Sequence, residues 1–187
     1  MPKIVDHDKY KKTLTDKTTK IFRKHGYSGL GMRKIAQELG ISKSALYHYF
    51  PSKEALFSAC TKSVTSFENQ DFHDLPIKKM NQQKRISALI SIFKKIETEF
   101  KGELSLLIDY LRPLTPSQIS TDKNMQFANQ QYLTMVSALV GKPNAQFVLC
   151  LMYGVLLQRL FDGGKSSFQD IEEKLISFTE MRHDFET

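Results

Sequence analysis

The sequence predicts an all-α protein. Three observations predict it. Apolar residues recur at three- and four-residue spacing along nearly the whole chain, runs that alternate in the strand pattern are scarce, and Gly and Pro residues punctuate the chain where helices of ordinary length would stop. About nine helices and no sheet result.

The first helix is expected from about Asp8 to Lys24, with Tyr10, Leu14, Thr18, Ile21 and Phe22 on one face and Gly26 as its stop. A short connector, YSGLG, leads to a brief second helix, Met32–Leu39, ended by Gly40. Ser42 is placed to cap a third, Lys43–Phe50, which Pro51 cannot continue. Ser52 caps a fourth, expected from Lys53 to about Gln70. The polar stretch QDFHDLPIKKMNQQK reads as a loop, and its DFHD, Asp71 to Asp74, as polar loop chemistry rather than a metal site. Helical patterns resume at Arg85–Lys101, Glu103–Arg112, Ser117–Val140, Asn144–Phe161 and Phe168–His183. The expected organisation is a first domain over residues 1–52, with a helix-turn-helix at about 32–50, and a second over 53–187, with helix 53–70 connecting them.

Composition narrows the class. The chain has 187 residues, 41% hydrophobic and 25% charged, enough to bury a core in an ordinary globular protein. Two cysteines, Cys60 and Cys150, make no disulfide framework and fit a reducing cytoplasm. The N-terminus is too polar for a secretory signal, and the longest apolar run, Phe147–Leu157, falls short of the ~20 residues of a membrane span. Net charge is +7, unevenly spread: the first 62 residues hold 13 Lys and Arg against 5 Asp and Glu, and the rest hold 14 against 15. A basic module joined to a near-neutral one is the electrostatic footprint of a nucleic-acid binder, although a solvated lysine-rich surface has the same composition.

The stretch ISKSALYHYF, Ile41 to Phe50, separates the two readings. At helical spacing Ala45, Leu46, Tyr49 and Phe50 form a buried side, which leaves Lys43, Ser44, Tyr47 and His48 facing outward. No acid occurs from Gly40 to Lys53, as a phosphate-facing surface requires. Tyr, His and Lys also serve as catalytic acids and bases, but a short exposed helix supplies neither a pocket nor an orienting partner. No metal-ligand spacing, nucleophile elbow or phosphate-cradling loop occurs elsewhere. No enzyme, cofactor or metal is expected.

Gly26 to Leu56, GYSGLGMRKIAQELGISKSALYHYFPSKEAL, resembles the DNA-binding domain of the TetR (tetracycline repressor) family of bacterial transcription regulators. The resemblance rests on Gly26-Tyr27, Ile35-Ala36, Gly40-Ile41-Ser42, Leu46-Tyr47, Phe50, Lys53 and Leu56. It implies that Arg33 reaches a guanine edge or a phosphate, and that Lys43, Ser44 and Ala45 meet bases. Ala45 is either a thymine-methyl contact or simply small where the core is close. Tyr47 and His48 would donate to phosphates, and Lys53 would clamp one at its helix N-terminus. The family often caps the second helix with Ser or Thr; this chain has Gly31.

The resemblance further implies a cytoplasmic, nucleoid-associated bacterial regulator. It would be a homodimer on a palindromic operator in double-stranded DNA, released by a small-molecule effector and independent of any membrane. The effector pocket is expected among Phe67, Phe93, Phe100, Leu107, Tyr110, Phe127 and Met135, although large apolar side chains at this spacing also make plain core. The dimer seam is expected on the last two helices, at Phe147, Leu151, Gly154, Val155, Gln158, Ile171, Leu175 and Phe178. The alternative is a DNA-binding regulator or chromosome-organising factor controlled by a protein partner.

Overall fold

A computed structural model describes residues 6–65, 72 and 74–183, with side chains to residue 177. Among these, nine α-helices and one short 3-10 turn account for the regular structure, and no strand occurs. The helices are α1 (His7–His25), α2 (Met32–Leu39), α3 (Lys43–Tyr49), α4 (Lys53–Thr65), α5 (Gln82–Leu111), α6 (Pro116–Thr121), α7 (Lys123–Val140), α8 (Lys142–Asp162) and α9 (Phe168–His183). The protein is all-α, as its sequence predicts.

The chain forms two compact units. The first comprises Met1–Ser66 with Gly102–Ala128, and the second Phe67–Lys101 with Asn129–Thr187. In the first, α1 packs on α2 and α4, and α2 packs on α3. Leu14, Phe22, Leu30, Met32, Ile35, Leu46, Phe50, Leu56, Phe57 and Cys60 fill its core, with Leu106 and Tyr110 of α5 against it. α1 also turns three threonines inward, and each satisfies its hydroxyl on its own helix: Thr15 on the Lys11 carbonyl, Thr18 on Leu14 and Thr19 on Thr15. A buried hydroxyl without a partner would destabilise the core, and these have partners. The division at residue 52 remains a functional proposal, because α4 is built into the first unit through Leu56, Phe57 and Cys60.

The second unit is built on α8. Val148, Leu149, Met152 and Leu156 of α8 pack with Ile86, Leu89, Ile90 and Phe93 of α5, Met135, Val136 and Leu139 of α7, and Phe168 and Leu175 of α9. At its foot Arg159 pairs with Glu97, Nε to Oε1 at 2.7 Å, lies over the Phe168 ring at 4.4 Å and donates to the Ser166 carbonyl. α8 has 21 residues, longer than the apolar run within it, so by length and composition it resembles a membrane-spanning helix. Its buried face is the centre of this core.

Two helix boundaries differ from expectation. The chain does not break at Gly102: α5 runs on, and an added Cβ at Gly102 would lie 3.7 Å from Arg23 Cβ. That is ordinary contact, so the position would also accept a side chain; Arg23 lies against it, and its guanidinium pairs with Glu103 at 2.6 Å. Ser117–Val140 is two helices rather than one. Asp122 ends α6, and its carboxylate accepts the Asn124 and Met125 N–H groups at 2.9 Å, which starts α7. The expected helix to Gln70 is seen to Thr65; residues 66–70, with Phe67, and Asp71 and His73 lie outside the described residues.

Candidate nucleic-acid interface

Three local devices build the helix-turn-helix. Gly40 adopts a left-handed conformation, φ +70, and ends α2 with its N–H on the Gln37 and Ala36 carbonyls. Ser42 caps α3, its hydroxyl accepting the Ala45 N–H at 3.1 Å. Ile35, Ala36, Leu46 and Phe50 then bury against one another and α1. α3 is held by one edge, and its other edge is free.

That free edge carries the expected residues. Lys43, Ser44, Tyr47 and His48 are exposed, Tyr47 by 40%, while Ala45 and Tyr49 are half-buried. Lys43 Nζ lies 5.6 Å from the Tyr47 ring centre, and Ser44 shares a 3.0 Å hydrogen bond with Ser42. Arg33 and Lys34 are exposed at the start of α2. Gly31 precedes them as a cap with no side-chain hydrogen bond, and a Cβ added there would meet nothing within 4 Å.

Lys53 departs from its expected role. Its Nζ donates to the carbonyls of Tyr27 at 2.8 Å and Leu30 at 2.9 Å, and it lies 4.0 Å from the Tyr27 ring centre. Two of its three donors are therefore spent inside the protein. It ties the connector between α1 and α2 to the start of α4, which leaves one donor for a phosphate. Beside it, the Tyr27 hydroxyl donates to Glu54 at 3.3 Å. Burial first, then the Glu54 charge, pushes the Tyr27 phenol well above its ordinary range. The N–H of Glu54 itself and the Ser52 hydroxyl hold the Glu54 carboxyl low. Burial raises the Cys60 thiol to about 12, which leaves it an inert core residue.

The sequence reading missed His7. Its ring lies 6.0 Å from His48 and 5.8 Å from Tyr49, and the Tyr49 hydroxyl is 3.4 Å from its Nδ1. The start of α1 thus widens the polar edge of α3. No pattern pairs residues 42 apart in sequence, so only the fold reveals it.

The other expected sites divide between the units. Phe93 and Met135 are buried in the second unit's core, with Phe100 packed against it. Leu107, Tyr110 and Phe127 belong to the first unit. Tyr110 stacks on Phe57 at 4.4 Å and donates its hydroxyl to Asp122 at 2.7 Å, and Lys62 lies over Phe127 at 5.8 Å. Of the expected seam, Val155 and Leu175 are 7% and 3% exposed and sit inside the chain's own core, not on its surface. Leu151 and Ile171 are half-buried against that core. The Phe178 side chain lies outside the described ones. Gly154 and Gln158 are exposed, as are Phe147 by 54%, Leu157 by 37% and Phe161 by 73%.

This is the arrangement of a helix-turn-helix protein: a short helix packed along one edge, with a donor-rich, acid-free edge turned outward. Residues 14–60 match the family model of bacterial regulatory proteins, tetR family. That match makes the first unit's helix-turn-helix similar to the DNA-binding domain of this family. The regulator PksA of Bacillus subtilis is 28% identical over 90 residues, 48% of this chain and 44% of that protein, so the chain spans less than half of that relative's length. A transcriptional regulator from Pseudomonas aeruginosa PAO1 shares the fold at a TM-score of 0.67 and 18% identity, over 95% of this chain and 93% of that one. AibR, solved in complex with isovaleryl coenzyme A and operator DNA, shares it at 0.60 and 15%, over 90% and 96%.

Proposed function

We propose that the protein is a homodimeric, DNA-binding transcription regulator, a repressor released from a palindromic operator by a small, largely apolar effector. The outward edge of α3 carries this reading: Lys43, Ser44, Tyr47 and His48 stand exposed with no carboxylate among them, and Arg33 stands exposed at the start of α2. Phosphate oxygens accept from such donors, and guanine accepts from arginine. The relatives are regulators rather than enzymes, which supports a non-catalytic, cytoplasmic role.

A second copy would supply the dyad. On α8 the exposed residues Phe147, Cys150, Gly154, Leu157 and Phe161 recur at alternating steps of three and four, the spacing of a helix–helix seam. They replace Val155 and Leu175 in the proposed interface. AibR's complex with isovaleryl coenzyme A supports control by a small-molecule effector. The aromatic set in the second unit, Phe93, Phe100, Tyr132 and Tyr153, is the proposed region for its walls.

The decisive experiment is binding to a duplex that the protein selects from a random-sequence pool, titrated across salt. Affinity should fall steeply as salt rises, because phosphate neutralisation releases counterions. A flat response would overturn the reading. A regulator controlled by a protein partner would show the same salt slope but no change in affinity across a panel of small apolar compounds and acyl coenzyme A esters.

A further inference from the structure

The connector between α1 and α2 sets where α2 begins, and so where Arg33 stands. Ser28 and Gly29 are exposed while Leu30 is buried in the first unit's core, and several of the connector's polar groups are held from outside it. Lys53 caps the Tyr27 and Leu30 carbonyls from α4. The Ser28 N–H donates to Asp109 Oδ2 at 2.6 Å, and the Ser28 hydroxyl is 3.4 Å from the Asp109 carbonyl, from the end of α5, 81 residues away in sequence. Gly26 leaves room for that carboxylate: at φ +76 it has no Cβ, and one placed there would stand 2.9 Å from Asp109 Oδ2. The neighbouring residue braces the same place, since the Tyr110 ring stacks on Phe57 and meets Tyr27 edge-on at 5.1 Å. Accordingly, the Ser28 N–H is the chief cause that holds the Asp109 carboxyl below its ordinary range.

We propose that Asp109 is a positioning residue for DNA binding: its carboxylate holds the Ser28 N–H, fixes the α1–α2 connector, and so sets the pose in which α2 presents Arg33 beside the recognition helix. It touches no nucleic acid itself. The fold gives Asp109 its partner, Ser28, 81 residues away in sequence. The inference rests on the DNA-binding reading above, and its test separates the two.

The test uses the full chain and the pool-selected duplex. Asp109→Ala should weaken duplex binding about tenfold, the order expected when a charge-assisted hydrogen bond is lost. Asp109→Asn, which keeps an acceptor oxygen, should recover most of that loss. Hydrogen exchange at the Ser28 amide should quicken in Asp109→Ala and slow again in Asp109→Asn. Gly26→Ala, which crowds the carboxylate, should cost less affinity in the Asp109→Ala background than in the wild type, since strain at the left-handed residue cancels in such a cycle. Unchanged duplex affinity in Asp109→Ala, or Asn no better than Ala, overturns the positioning role and leaves DNA binding standing. Wild-type protein that binds no duplex overturns both.

Discussion

Arg33 and Lys53 are both basic and both adjoin the helix-turn-helix, yet their surroundings assign them opposite work. Arg33 is exposed at the head of α2. Arg33→Ala should leave the fold intact and relax discrimination at one base pair, by about 1–3 kcal/mol if the contact is bidentate to guanine. Binding to single base-pair variants of the selected duplex measures this, and a uniform loss across them would make Arg33 a backbone contact. Lys53 is occupied by two carbonyls. Lys53→Met should therefore destabilise the fold by about 1–3 kcal/mol in urea unfolding, because those carbonyls lose their donor. It should leave the salt slope of DNA binding unchanged; a slope reduced by ~1 would show that the remaining donor reaches a phosphate. The carboxyls nearby respond to acid. Backbone N–H groups hold Asp109 and Glu54 low. The stability they lend is complete above the ordinary carboxylate pKa of about 4, and is lost as pH falls through their lower folded-state values. Urea midpoints compared between neutral and acidic buffer should differ less in Asp109→Asn than in wild type.

At the level of helices, periodicity was a sound guide to faces and a poor guide to ends. Met32, Ile35 and Ala36 of α2 and Leu46 with Phe50 around α3 lie inside as their spacing requires, and Ser42 caps as its position suggests. Gly102 misled because glycine weakens an isolated helix, whereas here Arg23 packs against its bare face. Nothing in the pattern of Ser117–Val140 marks a break at Asp122; the fold shows it ending one helix and beginning the next. The outward residues of α3 were legible because helical spacing sets them opposite Leu46 and Phe50. His7 and Asp109 were not, since their partners are distant in sequence. α8 has two faces, and mutation should separate them. Phe147→Asp with Leu157→Asp should yield a monomer in light scattering with helix content unchanged; a persisting dimer would move the seam elsewhere. Leu149→Ala, 1% exposed, should instead cost about 2–5 kcal/mol of stability.

Across the whole chain, charge and packing follow different divisions. The excess of basic residues ends near residue 62, but the unit that carries it also takes in residues 102–128. Composition alone places the first boundary and cannot place the second, because α5 and α7 each contribute to both units. Salt sensitivity should thus belong to the early sequence, while the integrity of the DNA-binding unit depends on a segment read long after it.

Gly31 has an effect measured in time. It stands at the head of α2 with empty space where a side chain would be. Gly31→Ser should add a hydroxyl able to reach a phosphate and slow dissociation from DNA, by about tenfold for one full hydrogen bond to a charged oxygen. Stopped-flow release from the selected duplex, and from mismatched ones, reads this directly, and equal dwell times for glycine and serine would refute it. A backbone contact lengthens every stay by the same factor, so the serine should prolong occupancy on matched and mismatched duplexes alike.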